Sequence, residues 1–241
     1  MALELYLDMK SQPCRSVYIF AKKNNIPFVF KKVSLLKGEH FGEEFKKITP
    51  IKKVPAMRDG DFCLAESIAI MQYLAQKFQT PEFWYPTELR QRALVTEYLS
   101  WQHMGIRLNG SKIFWLRLLV PKMLGAEVPQ EKMDLALKEL NGSLKLLEEK
   151  FIQDKPFIVG DNMTLADLVA IVEVIQPVFS GLDVFKERPK LRAWRDRVQA
   201  FIGKELFDEA HEDIMNVQEK SAMLDASALE LWKPMIFSLI M

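Results

Sequence analysis

The fold is decided near the N-terminus by residues 3–33, LELYLDMKSQPCRSVYIFAKKNNIPFVFKKV. Residues 3–7 alternate apolar and polar side chains with the period of a β-strand. Ser11-Gln12-Pro13 then interrupts the chain, residues 15–25 carry apolar side chains along one helical face, and residues 28–33 are apolar and β-prone. A strand, a helix and a strand in this order predict a βαβ unit with two parallel strands.

A hairpin and a helix follow in residues 56–78 and complete this first unit. Asp59-Gly60 is a strong signal for a tight turn between two short strands. Glu66-Ser67 opens a helix with one apolar stripe that reaches Phe78. With a loop and a short helix between the two parts, the order βαβ, α, ββα predicts an α/β domain of thioredoxin-like topology over residues 1–78.

The remainder of the chain carries helical patterns only. Residues 79–88 include Pro81 and Pro86 and form a predicted linker. Beyond it, apolar residues recur at helical spacing in four stripes. The stripes are Leu94, Tyr98, Trp101 and Gly105; Met133, Leu137, Leu140, Leu144, Leu147 and Phe151; Leu191, Trp194, Val198 and Phe201; and Phe207, Ala210, Ile214 and Val217. We therefore expect residues 89–241 to form an all-helical domain.

The composition excludes several classes of function. The 241 residues are 49% hydrophobic and 27% charged, with a formal net charge of +1, which argues against a basic surface for nucleic acid or membranes. The longest apolar runs are interrupted by Asp167 and Glu173, so no membrane span is expected. Two cysteines, Cys14 and Cys63, are too few for a disulfide framework, and the first ten residues lack a signal-peptide pattern. A cytoplasmic protein without a metal site is the expectation.

The segment Ser11-Gln12-Pro13-Cys14 lies where thioredoxin-like redox proteins carry Cys-x-x-Cys, between the first strand and the first helix. Ser11 takes the place of the nucleophilic cysteine. A hydroxyl cannot exchange disulfides, but it can donate a hydrogen bond to the thiolate of a bound thiol, and the positive end of the helix favours the same charge. The alternative interpretation of Ser11 is a plain helix N-cap.

Three neighbouring features also bear on a binding site. Cys14 is either a second redox thiol or a small buried residue of the first helix. Val54-Pro55, placed before the hairpin, predicts a cis proline that frees the backbone of Val54 to pair with a bound peptide. Glu66-Ser67 is either an ordinary helix cap or a site where a helix N-terminus holds a carboxylate and Glu66 accepts from an α-amino group.

Taken together, these segments resemble one enzyme family. Ser11-Gln12-Pro13, Lys53-Val54-Pro55 and Glu66-Ser67-Ile68-Ala69-Ile70 occur in the order and at the spacing of glutathione transferases. The segment 164–168 is similar to the capping box of their helical domain, in which Thr164 caps the helix and Asp167 reaches back to its start. The serine, the segment 18–23 and the linker 84–86 resemble the theta class. The resemblance covers essentially the whole chain and becomes loose beyond Val217.

The resemblance implies a role for each matching residue. Ser11 stabilises the glutathione thiolate; His40 and Lys53 meet the glycine carboxylate; Val54, before Pro55, pairs with the cysteinyl part; Glu66 and Ser67 hold the γ-glutamyl end; Arg107 and Trp232 belong to a second-substrate pocket. The implied partners are glutathione as co-substrate, electrophilic small molecules and a second copy of the chain in a homodimer. No tightly bound cofactor is implied.

The implied activity is the conjugation of reduced glutathione to electrophilic small molecules, a detoxification reaction, with attack on a peroxide oxygen as a side activity. Two positions depart from the family pattern. Met104 stands where some members carry an acidic residue that contacts glutathione, and Trp232 precedes Pro234, whereas an active relative has a tryptophan after the proline. A glutathione-binding or ligand-carrying paralogue of low activity is therefore an alternative, and a purely structural interaction module is a weaker one.

Overall fold

The computed structural model describes residues 2–121, 125 and 127–215. The elements of the N-terminal domain are β1 (Glu4–Leu7), α1 (Gln12–Lys23), β2 (Val29–Lys32), a 3₁₀ turn (Glu39–Phe41), α2 (Glu43–Lys46), β3 (Ala56–Asp59), β4 (Phe62–Ala65) and α3 (Ser67–Lys77). After a 3₁₀ turn at Glu82–Trp84, the helical part contains α4 (Leu89–Trp101), a π-helical segment (His103–Arg107), α5 (Leu108–Leu118), α6 (Gln130–Leu146), a second π-helical segment (Leu147–Ile152), α7 (Leu165–Val174), a 3₁₀ segment (Gln176–Ser180), α8 (Pro189–Ile202) and α9 (Lys204–Met215).

A four-stranded mixed sheet with the strand order β2-β1-β3-β4 forms the centre of the N-terminal domain. In β1, Leu5 pairs with Phe30 of the parallel strand β2 and with Met57 of the antiparallel strand β3. Leu5 and Leu7 are fully buried, because the alternation of β1 turns them towards the helices that cover the sheet. This arrangement confirms the predicted thioredoxin-like domain followed by a helical domain.

Helix α1 begins earlier than its apolar pattern indicates. It starts at Gln12 instead of Arg15, with Ser11 as its N-cap and Pro13 in its first turn. Proline is well tolerated there because the first N–H groups of a helix have no intrahelical acceptor. Pro13 therefore belongs to the helix and does not separate it from the preceding loop.

Helix α7 is buried along its whole length and depends on the predicted capping box. The Thr164 hydroxyl accepts from the Ala166 N–H at 3.1 Å, and the Asp167 carboxylate accepts from the Thr164 N–H at 3.0 Å. The other carboxylate oxygen of Asp167 accepts from the Ile158 N–H at 2.8 Å and from the Trp194 indole at 2.9 Å. The box thus holds α7 to α8 and to the loop before it.

The helical spacing of Gly105 predicts a continuous helix, but the structure has a kink there. Residues His103–Arg107 form a π-helical segment in which Gly105 has φ −87° and ψ −106°. A Cβ on Gly105 would lie 2.8 Å from the indole of Trp101, whose ring packs against Phe151 with centroids 4.7 Å apart. The kink therefore requires glycine, and it separates α4 from α5.

The predicted apolar stripes are buried in part. Leu140, Leu144, Leu147 and Phe151 are buried, whereas Met133 and Leu137 are half-buried at the start of α6. In α8, Leu191, Trp194 and Val198 are buried, and Ile202 is buried where the pattern points to Phe201. Val217, the end of the last predicted stripe, lies outside the described residues. Among the helices that the structure describes, none is long and apolar enough to cross a membrane.

A buried arginine joins the two domains. Arg15 of α1 has no exposed surface; it donates to the carbonyl oxygens of Met9 and Lys10 at 3.0 Å each, and it also donates to the side-chain oxygen of Gln176. Met9 and Lys10 form the loop that leads to Ser11. Arg15 therefore fixes this loop relative to the helical domain.

Candidate functional site

A cavity of about 520 Å³ lies between the two domains. The N-terminal domain lines it with Pro13, Ile51, Lys53, Val54, Pro55, Ala65, Glu66 and Ser67, and the helical domain with His103, Arg107, Leu108, Ser111, Lys112 and Trp115. Gln12 bridges the domains beside it, since its amide donates to the Ser111 hydroxyl at 2.8 Å. The cavity is open and has one wall from each domain, which suits two substrates that meet at its centre.

Ser11 is half-buried at the N-terminus of α1 and does not itself line the cavity, whereas Pro13 does. The backbone of Ser11 has φ −84° and ψ 124°, its carbonyl accepts from the Cys14 and Arg15 N–H groups, and its hydroxyl forms no capping hydrogen bond. The backbone thus serves as an N-cap, while the hydroxyl is not used to satisfy the helix.

Cys14 is completely buried in the first turn of α1. Burial raises the pKa of its thiol to about 12, against smaller opposing effects from the Asp8 backbone and the Ser11 hydroxyl. Because the thiolate is the reactive form, a thiol with this pKa is inert at neutral pH. The structure therefore favours the packing interpretation of Cys14.

The segment 53–55 lies along the cavity wall. The Val54–Pro55 peptide bond is cis, and both residues are buried. Lys53 precedes them with an exposed side chain on the cavity wall, so its ammonium group is accessible to an anionic ligand.

Glu66 and Ser67 form the opposite part of the same wall, at the start of α3. Glu66 has φ 71° and ψ 114°, a conformation that residues other than glycine rarely adopt, and its side chain is exposed. Ser67 is buried as the first residue of the helix. Such unusual backbone conformations cluster at ligand sites, where the surrounding structure imposes them. The N-terminus of α3 therefore lies at the cavity wall.

His40 is not brought to the cavity wall. It lies in the 3₁₀ turn Glu39–Phe41, is 5% exposed and packs its ring against Phe41 with centroids 3.9 Å apart. Burial lowers the pKa of His40, with a smaller opposing effect from Asp8, so the ring is mostly neutral at pH 7. A neutral imidazole ring still carries one N–H donor, so the contact of His40 with the glycine carboxylate stays a prediction.

On the helical side, Arg107 contributes the cavity's guanidinium group. It ends the π-helical segment, is 33% exposed and places its Nε 3.8 Å from Oε1 of Glu173, which is buried. Burial raises the pKa of Glu173 to about 7, opposed by the charges of Arg107 and Arg15. Trp232, the other residue expected in the second-substrate pocket, lies outside the described residues.

The sequence motifs do not account for every cavity residue. His103, Lys112 and Trp115 come from the π-helical segment and α5, and no short motif marks them. Burial and the charge of Arg107 lower the pKa of His103, which keeps its ring mostly neutral at pH 7. Lys112 pairs with Glu139 of α6 at 2.9 Å. His103 and Trp115 share helical spacing on one face with Arg107 and Ser111, at 103, 107, 111 and 115, and Lys112 lies next to Ser111.

The comparisons with known proteins agree with this architecture. The chain matches the N-terminal domain family of glutathione S-transferases over residues 1–76 and the C-terminal domain family over residues 110–200. It is 52% identical to glutathione S-transferase theta-1 of Mus musculus over 219 residues, 91% of each chain. The apo structure of human glutathione-S-transferase T1-1 superposes with a TM-score of 0.93 at 46% identity, over 99% of this chain and 100% of that one. A human theta-class glutathione transferase, solved in complex with the glutathione conjugate of 1-menaphthyl sulfate, superposes with a TM-score of 0.93 at 45% identity, over 99% of this chain and 100% of that one.

With its two-domain fold, its interdomain cavity and these matches, the chain belongs to the glutathione S-transferase family. Enzymes of this family conjugate reduced glutathione to electrophilic small molecules, with glutathione as co-substrate, and this chain is such an enzyme. Within the family it is a theta-class transferase. Over residues 2–121 and 127–215, no cluster of His, Cys, Asp or Glu side chains could hold a metal ion.

Proposed function

We propose that Ser11 activates glutathione by donating a hydrogen bond to its thiolate. The observation that carries this proposal is the position of Ser11 at the N-terminus of α1 with a hydroxyl that forms no capping hydrogen bond. A free thiol has a pKa of about 8.5, so a donor hydroxyl and the positive helix end together increase the ionised fraction at neutral pH. The thiolate then attacks the electrophilic carbon and expels the leaving group, without a covalent enzyme intermediate.

The two ends of glutathione require complementary groups, and the cavity wall supplies them. Lys53 suits the glycine carboxylate, with His40 in a minor, uncharged role. The backbone of Val54 suits the cysteinyl part. Glu66 suits the α-amino group, and Ser67, at the start of α3, suits the γ-glutamyl carboxylate, because helix N-termini favour anions. Replacing Glu66 by alanine should weaken glutathione binding in calorimetry; an unchanged affinity would remove Glu66 from the site.

The opposite wall, with Arg107, is the proposed site of the electrophile. Arg107 suits substrates with an anionic leaving group, since a guanidinium group pairs well with sulfate or carboxylate oxygens. A hydroperoxide is a second substrate class: the thiolate attacks one oxygen, the alcohol leaves, and a second glutathione reduces the sulfenic acid to give the disulfide and water. Turnover of an alkyl halide by the purified enzyme tests the first substrate class, and turnover of a hydroperoxide tests the second. If the enzyme turned over neither substrate, the ligand-carrying alternative would be favoured.

The proposed assembly is a homodimer in which the N-terminal domain of one subunit contacts the helical domain of the other. Exposed apolar side chains on both domains support this pairing: Phe62 on β4 is 44% exposed, and Leu89 and Leu94 on α4 are 79% and 46% exposed. Sedimentation should give twice the chain mass of 28.0 kDa.

We also propose a cytoplasmic location, which the free thiols of Cys14 and Cys63 support and cell fractionation can test.

The decisive experiment compares Ser11→Ala with Cys14→Ser. In the first variant, the pKa of bound glutathione, measured from thiolate absorbance, should rise by about one unit, equivalent to about 1.4 kcal/mol. Turnover at neutral pH should fall while the affinity for glutathione changes little. Cys14→Ser, a matched change in the same helical turn, should leave the titration unshifted. The opposite pattern, with a silent Ser11→Ala, would overturn the mechanism.

A further inference from the structure

We infer that Glu173 is a positioning residue that controls how strongly the cavity binds anionic electrophiles, because it pairs with Arg107 from below the cavity and restrains that guanidinium group. This inference rests on the proposed role of Arg107 in binding the electrophile. It assigns to a residue of the buried helix α7 a function that neither the motifs nor the packing of that helix requires.

The geometry of Glu173 is unusual for a buried carboxylate. Glu173 lies in the otherwise apolar helix α7 and is 1% exposed. Its Oε1 is 3.8 Å from Nε of Arg107, while its Oε2 accepts no hydrogen bond within the described structure. A buried carboxylate with one long ion pair and one unused oxygen is poorly stabilised for a purely structural role.

Arg107 is the exposed member of this pair. Its side chain is 33% exposed and lines the cavity, whereas that of Glu173 is 2% exposed. The contact to Glu173 uses Nε, so the two terminal nitrogens of the guanidinium group form no part of this pair. In the described parts of the chain, Glu173 is the one acidic residue that forms an ion pair with Arg107. An anionic ligand in the cavity therefore competes with Glu173 for the same positive charge.

The charges around Glu173 allow its protonation to change near neutral pH. In the part of the chain that the structure describes, the groups that act on it are Arg107 from the π-helical segment, Arg15 from α1 and the buried phenol of Tyr98 from α4. The neighbouring 3₁₀ segment contributes the amide of Gln176, which Arg15 contacts. Burial raises the pKa of Glu173 to about 7 against the two arginines. The carboxyl group is thus charged above this pH and neutral below it.

The direction of the effect follows from this competition. Above pH 7, the Glu173 carboxylate offsets the charge of Arg107 and weakens the binding of an anion. Below pH 7, Glu173 is neutral, and the full charge of Arg107 acts on the ligand. Binding of a neutral ligand of the same shape should not follow this change, because it does not depend on the charge of Arg107.

The experiment measures binding and does not require turnover. Calorimetry on the enzyme saturated with S-methylglutathione, whose sulfur does not titrate, gives Kd for 1-naphthalenesulfonate and for the neutral 1-naphthalenemethanol between pH 6 and pH 8. We expect the ratio of the two Kd values, anion over neutral, to rise about fivefold across this range in the unmodified enzyme. In Glu173→Gln the ratio should stay at its low-pH value, and in Glu173→Asp the pH dependence should return in part.

Two matched variants separate this inference from other causes. Glu139→Gln removes the acidic partner of Lys112, a second cavity cation, and should leave the pH dependence of the ratio in place. Arg107→Leu should weaken the anion at every pH and abolish the pH dependence. A flat ratio in the unmodified enzyme would overturn the inference, and this result does not depend on the folding of any variant. Weaker binding of the anion in Glu173→Gln, with binding of the neutral ligand retained, would also overturn it. If the unmodified enzyme bound neither ligand at any pH, the electrophile site itself would be overturned. An unshifted titration in Ser11→Ala would overturn the thiolate proposal alone.

Discussion

Replacing Asp167 by alanine and by asparagine tests the capping box that supports the site. The two variants remove different hydrogen bonds. The Oδ1 atom of Asp167 accepts from the Ile158 N–H and the Trp194 indole, whereas Oδ2 accepts from the N–H and the hydroxyl of Thr164. Asp167, Ile158, Thr164 and Trp194 are all buried, so water cannot replace a lost partner. Alanine removes all four bonds, and asparagine retains the pair on Oδ1.

The expected magnitudes follow from counting buried donors. Asp167→Ala leaves three buried N–H groups without an acceptor, at about 1–3 kcal/mol each, so we expect a loss of about 5 kcal/mol in unfolding free energy. Asp167→Asn places an amide NH₂ opposite one N–H and should lose about 1–2 kcal/mol. Burial raises the pKa of Asp167, an unfavourable desolvation that asparagine avoids, which keeps the second loss small.

Urea unfolding followed by tryptophan fluorescence measures both losses, with linear extrapolation to water. The difference between the variants, about 3–4 kcal/mol, isolates the two bonds on Oδ1. Equal losses for alanine and asparagine, or a loss below about 1 kcal/mol for alanine, would refute the argument, because the bonds to Ile158 and Trp194 would then contribute little. Since α7 also carries Glu173, the alanine variant should lose activity as its helix loosens.

Two further predictions concern charge. Lys53→Ala should raise the Kd of glutathione about fivefold, measured by calorimetry, whereas His40→Ala should change it less, because His40 is buried and mostly neutral; equal effects would place both at the carboxylate. His211 is fully buried, and burial lowers its pKa to about 3. Its contribution to the free energy of unfolding is therefore fully present above its ordinary pKa of 6.5 and is lost as the pH falls towards 3. At pH 5 the loss should be about 2 kcal/mol, and His211→Phe, which keeps the stacking on Phe207, should unfold with a weaker dependence on acid; an unchanged slope would contradict this.

The sequence predicted the parts of the site that depend on local signals. Ser11 and Glu66 lie at the starts of helices and Val54-Pro55 precedes the hairpin, and turn and cap chemistry at such positions is written in short segments. The fold followed for the same reason, since a period-two strand and an Asp-Gly turn leave few topologies. The burial of His40 and its neutral ring are properties of the folded loop, which no local sequence signal indicates.

The helical wall of the cavity was less predictable. Trp115 and Lys112 occupy ordinary positions of a helix, and only the docking of the two domains turns that face into a cavity wall. Glu173 appeared in the sequence as an interruption of an apolar run, and its partner Arg107 is 66 positions away, too far for any periodic pattern to relate them. Long-range pairs of this kind arise from the packing of α7 beneath the π-helical segment.

The contact between Gly105 and Trp101 has a consequence for how this cavity can diversify. A side chain at 105 would collide with the Trp101 indole, which is itself packed on Phe151. Substitutions at 105 are therefore disfavoured both in evolution and in a designed library. Its neighbours Met104 and Leu108 are 75% and 43% exposed and carry no such restriction. Selection for new electrophiles can therefore change the residues at 104 and 108 but not the glycine at 105. A randomised library should vary 104 and 108 and keep 105 as glycine.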